Sequence, residues 1–374
     1  MKPNLILLLC ALVLSSCDRG TPKFRMPEFP QNVRGEVELL TEDLTYGSIN
    51  RLYVYGPYLI VAGIQQQNLV NIYDRNTGEL LKRTAWIGRG PGEVGEILEG
   101  ADFDPGTGDL LLVERDRHNT LKFNINDVVA NDTPRLEKNT HEFGPVNWIE
   151  TVYMLDDERV LLRSATKRKG RINRRARFEM YDGASRIWTG NRFPLQDTVT
   201  EINCRNEQYA IGDLNADRTK FFLGTGYNGA TLECFDVTPD SLALRWTKYL
   251  IAPRYNRQTG EDAENKLRGF KDVSVSGDLV LTVIGDDRQH WVRSVCVFDF
   301  EGNPVKRIVI DSDKYNIFKV CMNDAGEMYA VVATNKQAFH LARIRETGPA
   351  EYAISKERID HFTPESVKNP TSFQ

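Results

Sequence analysis

A glycine-rich stretch, TAWIGRGPGEVGEI, carries Gly90, Gly92 and Gly95 at the spacing that cradles a dinucleotide pyrophosphate in other proteins. However, Pro91 removes a backbone donor where a phosphate needs one, and Glu93 would repel an anion. The residues that follow contain Gly and Pro where a helix must begin. The sequence therefore predicts no nucleotide site, and we interpret the stretch as a tight turn between strands. The turn residues are Gly88, Gly90, Pro91, Gly92 and Glu93.

Three aspartates have the type and spacing that a calcium site would need. Asp102, Asp213 and Asp272 stand at nearly the same distance ahead of strongly apolar runs, so a repeated fold would place them at similar heights. Carboxylate oxygens are preferred ligands of calcium, and such a site would suit a calcium-dependent hydrolase of a lactone or sugar derivative. The competing interpretation is that each carboxylate bonds backbone groups of a neighbouring strand. Repetition in register favours this structural role, so calcium belongs only to the alternative.

Other signs of catalysis are missing from the sequence. It contains no G-x-S-x-G elbow and no H-E-x-x-H motif, and its five histidines are scattered singly. The cysteines after residue 17 lack the paired spacing of a zinc site, and we interpret them as buried small apolar residues. They are Cys204, Cys234, Cys296 and Cys321. We therefore favour a non-enzymatic protein without a cofactor.

One hairpin recurs along the chain and would position these residues. It consists of a strand, a tight polar turn and a strongly apolar strand, and it repeats at intervals of roughly 50 to 60 residues. Most hairpins are followed by a third strand, which ends in an aromatic residue and Asp or Asn, and then by a fourth strand. This pattern predicts an all-β fold, a six-bladed β-propeller of four-stranded antiparallel blades rather than a two-layer sandwich. The apolar strands are marked by Leu59, Leu110, Val160, Phe221, Leu279 and Met328.

The last repeat shows only three clear strands, so its fourth must come from elsewhere. The segment GEVELLTED, ahead of the first hairpin, is a strand left without a blade. We expect it to complete the last blade and close the ring, because an open ring would expose strand edges at both ends. The competing donor is EYAIS, near Tyr352.

The N-terminus predicts export and a lipid anchor. The apolar run from Leu5 to Leu14 follows Lys2 and is too short for a bilayer span, so residues 1–16 are interpreted as a signal peptide. Leu14-Ser15-Ser16-Cys17 resembles the lipobox of bacterial lipoproteins, which implies a lipid on Cys17. Residues 17–32, rich in Pro and charge, are predicted to form a flexible tether, and residues 33–374 a single propeller domain. We expect a lipid-anchored protein of the cell envelope, at the outer membrane.

The connections after the second and fourth strands of each repeat emerge on one side of the disc, which we call the loop face. Its loops are long and polar, so it is the predicted binding surface for an envelope protein or a glycan. Arg and Trp are typical binding anchors, and His hydrogen-bonds sugars. The predicted contact residues are Arg115, Arg117, His118, Arg288, His290 and Trp291.

A basic run from Lys167 to Arg177 belongs to the same face. Its partner would be an anionic glycan, a lipid head group or an acidic protein surface, and the alternative is a solvated loop. Stacking aromatics are not interleaved with these basic residues, and the formal net charge of the chain is −4. We therefore expect no nucleic-acid partner.

The lipobox, the repeat of about 50 residues and the G-x-G-P-G-E segment from Gly88 to Glu93 together resemble the TolB-like six-bladed propeller lipoproteins of Bacteroidetes. The resemblance spans roughly residues 33–345. It implies an exported propeller of the cell envelope and says little about the ligand, since propellers include both enzymes and binding platforms.

Overall fold

The structure is a computed structural model that describes most of the chain between residues 26 and 350. Within these limits it leaves out residues 43, 45–47, 66, 89–92, 96–100, 115–118, 132–135, 141–147, 169–170, 174–175, 184, 191–209, 227–228, 252–267, 286–292, 311–313 and 335–337. The described residues form β-strands joined mainly by short turns. They contain no helix that is long and apolar enough to cross a membrane.

Four separate antiparallel sheets follow one another along the chain, and we call them blades 1 to 4. Blade 1 consists of β2 (Ser48–Tyr55), β3 (Tyr58–Gln65), β4 (Asn68–Asp74) and β5 (Leu80–Trp86). Blade 2 consists of β6 (Ala101–Asp104), β7 (Asp109–Glu114), β8 (Asn119–Asn124) and β9 (Glu137–Thr140), with the short helix α1 (Ile125–Ala130) after β8.

Blades 3 and 4 repeat this arrangement. Blade 3 consists of β10 (Trp148–Met154), β11 (Arg159–Arg168), β13 (Phe178–Asp182) and β14 (Ser185–Gly190), and β12 (Arg171–Asn173) pairs with the end of β11. Blade 4 consists of β15 (Ala210–Leu214), β16 (Lys220–Thr225), β17 (Ala230–Val237) and β18 (Leu242–Ile251).

The rest of the described chain forms one eight-stranded sheet. Its first half consists of β19 (Phe270–Ser276), β20 (Leu279–Ile284), β21 (Ser294–Asp299) and β22 (Pro304–Ile310). Its second half consists of β23 (Tyr315–Met322), β24 (Met328–Thr334), β25 (Phe339–Pro349) and the N-terminal strand β1 (Asn32–Leu39). Each half has the antiparallel strand order of a blade.

The N-terminal strand joins the two halves. Val33 to Leu39 of β1 pair antiparallel with β25, which confirms the predicted role of this segment as the strand beside the last hairpin. The competing donor near Tyr352 lies outside the described residues. Asn32 to Gly35 also pair parallel with β22. The prediction of six separate blades is therefore not met: the described strands form four separate blades, and the fifth and sixth repeats are one sheet, because β1 pairs with a strand of both.

Burial explains why the second and third strands read as apolar runs. In β4, β16, β20 and β24, nearly every residue is buried, whereas the outer strand β5 alternates between exposed and half-buried positions. Inner strands lie between the faces of two neighbouring sheets, so both of their faces pack against side chains. The apolar clusters confirm this, since one of them joins blade 1 to blade 2 and another joins blade 3 to blade 4.

The recurrent Asp or Asn at the end of the third strand stabilises a turn. Asp74 accepts hydrogen bonds from the N–H groups of Asn76 and Thr77, at 2.8 Å each, and these bonds lower the pKa of its carboxyl. Asp299 accepts in the same way from Glu301 and Asn303. Such side chains satisfy backbone donors that a tight turn leaves unpaired. The repeat therefore reflects turn chemistry.

The folded body begins before the predicted domain boundary at residue 33. Met26 and Phe29 pack against the cluster formed by blade 4 and the first half of the eight-stranded sheet, and the ring centroids of Phe29 and Phe298 are 5.5 Å apart. The last part of the predicted tether thus belongs to the propeller. The signal peptide and Cys17 lie outside the described residues.

Three of the four cysteines are buried and free, as the sequence predicts. They are Cys234, Cys296 and Cys321, and burial raises the pKa of each thiol. Cys204 lies outside the described residues. These side chains therefore behave as small apolar groups.

Gly35 allows β1 to approach its neighbours closely. A Cβ at this position would lie 2.7 Å from Ile308 Cγ2 and 2.8 Å from Ile310 Cδ1. We expect Gly35→Val to destabilise the protein by about 1–3 kcal/mol through overpacking. Glu36→Val, at an exposed position of the same strand, should change the free energy of unfolding by at most about 0.5 kcal/mol. Urea unfolding measures both, and equal effects of the two substitutions would contradict the role of Gly35.

Candidate functional site

The first strands of the sheets meet around a common centre. β2 contacts β6, β6 contacts β10, β15 contacts β19, β19 contacts β23, and β23 contacts β2. The hydroxyl of Tyr153 accepts a hydrogen bond from the Gly212 N–H at 3.2 Å and so links β10 to β15. Each first strand forms backbone hydrogen bonds with a neighbouring strand on one side only, so its other edge faces this centre. The backbone groups on that edge need partners, because unpaired polar groups are costly to bury.

A β-bulge near the start of four first strands places polar residues at the centre. The pairing register shifts in β2, β10, β19 and β23, and each shift leaves one residue out of the ladder. Bulges redirect the side chains beside them, which here are buried polar groups. The residues directly after the bulges are Arg51, Thr151, Asp272 and Lys319.

The guanidinium of Arg51 crosses from blade 1 to blade 4. Its Nη2 donates to the Gly212 carbonyl at 2.8 Å and to the Tyr153 hydroxyl at 3.4 Å, and the side chain is almost fully buried. Burial opposes its charge, but the nearby tyrosines and the carboxylates of Asp213 and Asp272 raise the pKa of Arg51 above its ordinary value. Arg51 is therefore a fixed positive charge at the centre.

The three aspartates of the predicted calcium site each bond the backbone of the next first strand. Asp102 accepts from the Met154 N–H at 2.8 Å, and Asp213 accepts from the Val275 N–H at 2.8 Å. Asp272 accepts from the N–H of residue 320 at 2.9 Å. This geometry is the structural role that the in-register repetition favours. Among the residues that the structure describes, no three His, Cys, Asp or Glu side chains form a group that could hold a metal ion.

Two of these carboxylates also pair with cations. Asp102 bonds Arg218 Nη1 at 2.8 Å, and Asp272 lies 3.3 Å from Lys319 Nζ. Asp213 differs, since burial raises its pKa to about 7 and the charge of Asp102 adds to the effect. Arg51 and the Val275 N–H only partly oppose this shift. Asp213 is thus a half-buried acid whose pKa lies close to neutral pH.

The predicted contact residues on the loop face lie outside the described residues. They are Arg115, Arg117, His118, Arg288, His290 and Trp291. Gly90, Pro91 and Gly92 of the glycine-rich turn also lie outside them.

The two ends of the glycine-rich turn are described, and they lie close together. The Gly88 N–H donates to the Val94 carbonyl at 3.0 Å, and the Val94 N–H donates to the Trp86 carbonyl at 2.8 Å. The carboxylate of Glu93 occupies the place where a side chain at position 88 would begin. This arrangement agrees with a tight turn, in which the side chain of Glu93 folds back over Gly88.

Trp86 is a loop-face residue that the sequence reasoning missed. It ends β5 just ahead of the glycine-rich turn and is 46% exposed. Ala85 before it is buried but has a φ of 56°, a left-handed conformation that non-glycine residues rarely adopt. In this strained conformation the methyl group of Ala85 lies in the core, whereas Trp86 is exposed to solvent. An aromatic residue at the loop-face end of an outer strand was the only sequence signal for this site.

The basic run divides into two parts in the structure. Thr166 to Arg168 pair with Arg171 to Asn173, so the backbone forms a two-stranded extension of blade 3 on the loop face. Arg177 instead is buried against blade 4, where its Nη1 bonds Glu233 Oε1 at 3.0 Å. The end of the run thus stabilises a blade interface and does not belong to the loop face.

The structure is similar to solved β-propellers at low sequence identity. A Bacteroides fragilis protein named as a putative exported protein matches with a TM-score of 0.55 at 10% identity, covering 87% of this chain and 99% of that one. A Xanthomonas campestris gluconolactonase gives a TM-score of 0.45 at 10% identity, with 87% and 98% covered. A luciferin-regenerating enzyme gives 0.47 at 9%, with 85% and 98% covered.

The match to the Bacteroides fragilis protein and the strand order together show an all-β, propeller-like fold with four-stranded antiparallel blades and nothing finer. The gluconolactonase and the luciferin-regenerating enzyme match with TM-scores below 0.5, so neither carries an argument about this chain. No protein-family model matches the chain, and no curated protein matches its sequence.

Replacement of Asp213 should change how stability depends on pH. The pKa of Asp213 is about 7 in the folded protein, whereas its ordinary value is 3.8. Its contribution to the free energy of unfolding is therefore complete below pH 3.8 and is lost as the pH rises through 7. Asp213→Asn keeps an acceptor for the Val275 N–H and avoids the buried charge. Between pH 5 and pH 8.5, we expect the stability of this variant relative to the wild type to increase by about 2 kcal/mol, as measured by urea unfolding at both pH values.

Asp217→Asn is the matched control. Asp217 is exposed, and its hydrogen bonds with Thr219 lower the pKa of its carboxyl. It stays ionised at both pH values, so its difference from the wild type should be the same at pH 5 and pH 8.5. A pH-independent effect of Asp213→Asn would show that Asp213 does not titrate near neutrality.

Proposed function

We propose that this protein is a non-enzymatic lipoprotein of the cell envelope, whose loop face binds a protein or glycan partner. The observation that carries the proposal is how the central carboxylates are used. Asp102, Asp213 and Asp272 each bond the backbone of a neighbouring first strand, so the acids best placed for chemistry hold the sheets together. We therefore assign partner binding to the loop face.

Trp86 supports binding at the loop face. A left-handed alanine costs about 1–2 kcal/mol, and such strain persists where a conformation serves a function. Here it accompanies an exposed indole beside Ile87, which is 36% exposed. Tryptophan is enriched among the residues that dominate binding energy. We assign Trp86 to the partner surface together with Arg115, Arg117, His118, Arg288, His290 and Trp291.

The finer description of the molecule is also part of this proposal. The eight-stranded sheet contains two sets of four strands, each starting at the centre, which supports counting it as two blades of a six-bladed ring. The lipobox supports a lipid on Cys17, and we propose the outer membrane as the membrane that carries it. With the G-x-G-P-G-E segment, these features support a TolB-like propeller lipoprotein.

A calcium-dependent hydrolase of a lactone or sugar derivative is the second candidate. Asp213 favours it, because a carboxyl whose pKa is raised to about 7 is typical of general acids and bases. In this alternative Asp102, Asp213 and Asp272 would surround the metal.

Replacement of Trp86, or of the predicted contact residue Trp291, should sharply reduce partner capture. We expect Trp86→Ala and Trp291→Ala to reduce recovery of the partner with tagged full-length protein from solubilised envelopes by at least about tenfold, because buried Trp anchors contribute 2 kcal/mol or more. Leu244→Ala is the control, since Leu244 is 47% exposed on the outer strand β18. Undiminished capture by both Trp variants, with unchanged melting temperatures, would refute the loop-face proposal.

Calcium separates the two candidate functions. A ligand that binds only the folded state raises its stability, by about 2.7 kcal/mol at a hundredfold excess over Kd. The binding-protein proposal predicts the same melting temperature in millimolar calcium and in chelator. A rise of several degrees with calcium, lost in Asp102→Asn, would instead support the hydrolase.

A further inference from the structure

The side of the propeller opposite the loop face is formed by short turns. We call it the turn face, and it contains the connections after the first and third strands of each strand set. Every fourth strand therefore starts at the turn face. In the first half of the eight-stranded sheet, β22 begins at Pro304, directly after the turn that Asp299 stabilises.

The N-terminal segment enters the folded body at this face. β1 pairs parallel with β22, so both strands run from the turn face toward the loop face. The pairing continues one residue ahead of β1, since the Arg307 N–H donates to the Gln31 carbonyl at 2.8 Å. The residues before Gln31 are thus led toward the start of β22.

Apolar contacts hold the segment in this place. The Phe29 ring packs edge-on against Phe298, with centroids 5.5 Å apart, and Phe298 pairs with Pro304, the first residue of β22. Met26 packs against the same apolar cluster, as does Phe300 from the turn after β21. The tether therefore leaves the body at the turn face, where blade 4 meets the eight-stranded sheet.

The length of the remaining tether limits how the body can sit on a membrane. Met26 is nine positions after Cys17, so the chain between them spans at most about 30 Å. A flexible chain of this length has an average end-to-end distance of roughly 17 Å. The eight residues of β3 extend over roughly 26 Å, which approximates the height of the disc. A loop face turned toward the membrane would therefore require a nearly fully extended tether, which costs conformational entropy.

Charge on the turn face does not reverse this preference. Among the described residues, the exposed charged side chains in the turns after the first strands are acidic, and they include Asp157, Asp217, Asp278 and Asp324. An anionic lipid surface repels them only within a screening distance of about 8 Å at physiological ionic strength. The tether is longer than this distance. Repulsion therefore separates the turn face from the lipid surface without turning the body over.

We propose that the turn face lies toward the membrane that holds the lipid of Cys17, and that the loop face points away from this membrane. The inference rests on the proposed lipid anchor and narrows the class of partner. The loop face then meets a protein or glycan outside the anchoring membrane rather than the lipid head groups of that membrane.

Energy transfer from the protein to the lipid surface tests the orientation. Fluorescent donors on Asp278→Cys and Arg293→Cys form a matched pair, because both positions are exposed and they mark the two ends of the strand set that contains β20. The lipidated protein also carries Cys204→Ser, so that only buried thiols among the described residues compete for the dye. It is inserted into vesicles of phosphatidylethanolamine and phosphatidylglycerol with a rhodamine acceptor on the head groups.

The donor at position 278 should be quenched at least about twofold more strongly than the donor at position 293, because the two ends lie roughly 20 Å apart along the strands. Added salt should leave this order unchanged, since the attachment point sets it. Equal quenching at the two positions, as a disc standing on its rim would give, or stronger quenching at position 293 would overturn the proposal.

Release of the docked segment should weaken the orientation. Met26→Ala with Phe29→Ala adds residues 26–31 to the free tether and raises its maximal reach to about 50 Å, so the two quenching values should approach each other. Gln31→Ala is the matched control, since its side chain is exposed and only its backbone carbonyl bonds β22. An unchanged ratio in the folded double variant would contradict the role of the segment. Should this variant unfold, the donor pair in the parent protein still decides the orientation.

Cys17→Ser separates this inference from the proposed function. Failure of the lipidated protein to bind the vesicles, or equal binding of Cys17→Ser, would refute the lipid anchor and the orientation with it. Binding that depends on Cys17, with equal quenching at positions 278 and 293, would refute the orientation alone. The proposed lipid anchor and the partner surface would then remain.

Discussion

A buried sheet edge is the constraint on which the rest of the structure depends. Every first strand pairs on one side only, and its free edge faces the centre, where backbone donors and acceptors need partners. Side chains supply them. Asp102, Asp213 and Asp272 accept from backbone N–H groups, Tyr53 donates to the Ala101 carbonyl at 2.9 Å, and Arg51 donates to a carbonyl of blade 4. The polar side chains at the centre thus provide hydrogen-bond partners for backbone groups that the repeated first strands leave unpaired.

These hydrogen bonds place charged side chains inside the protein, where a charge is costly unless an opposite charge lies beside it. Arg218 and Lys319 pair with Asp102 and Asp272, so each of these two buried carboxylates has a cation beside it. Asp213 accepts a backbone bond but forms no ion pair with a cation among the described residues, so burial dominates and its pKa rises to about 7. A perturbed carboxyl at the centre of a propeller can therefore arise from architecture alone. For this reason the loop face is the better place to look for function.

The outer strands also have edges that need partners, and this need explains the eight-stranded sheet. The strand β1 has two edges, and it pairs antiparallel with β25 on one and parallel with β22 on the other. Gly35 makes this possible, because any side chain there would meet Ile308 and Ile310. One N-terminal strand thereby protects the edges of two neighbouring strand sets. The first and last parts of the described chain are joined by the same contact.

The sequence by itself determined the features that depend on local pattern. Alternating turns and apolar runs predicted the hairpins, the unpaired GEVELLTED segment predicted the strand beside β25, and the regular spacing of Asp102, Asp213 and Asp272 favoured bonds to backbone. Only the tertiary structure decided which groups meet across sheets. The bulges that bring Lys271 over Phe318, the burial of Arg177 against Glu233 and the parallel pairing of β1 with β22 all join residues far apart in the chain. Periodicity reports the neighbours along a strand, whereas contacts between sheets depend on how the strands are placed in space.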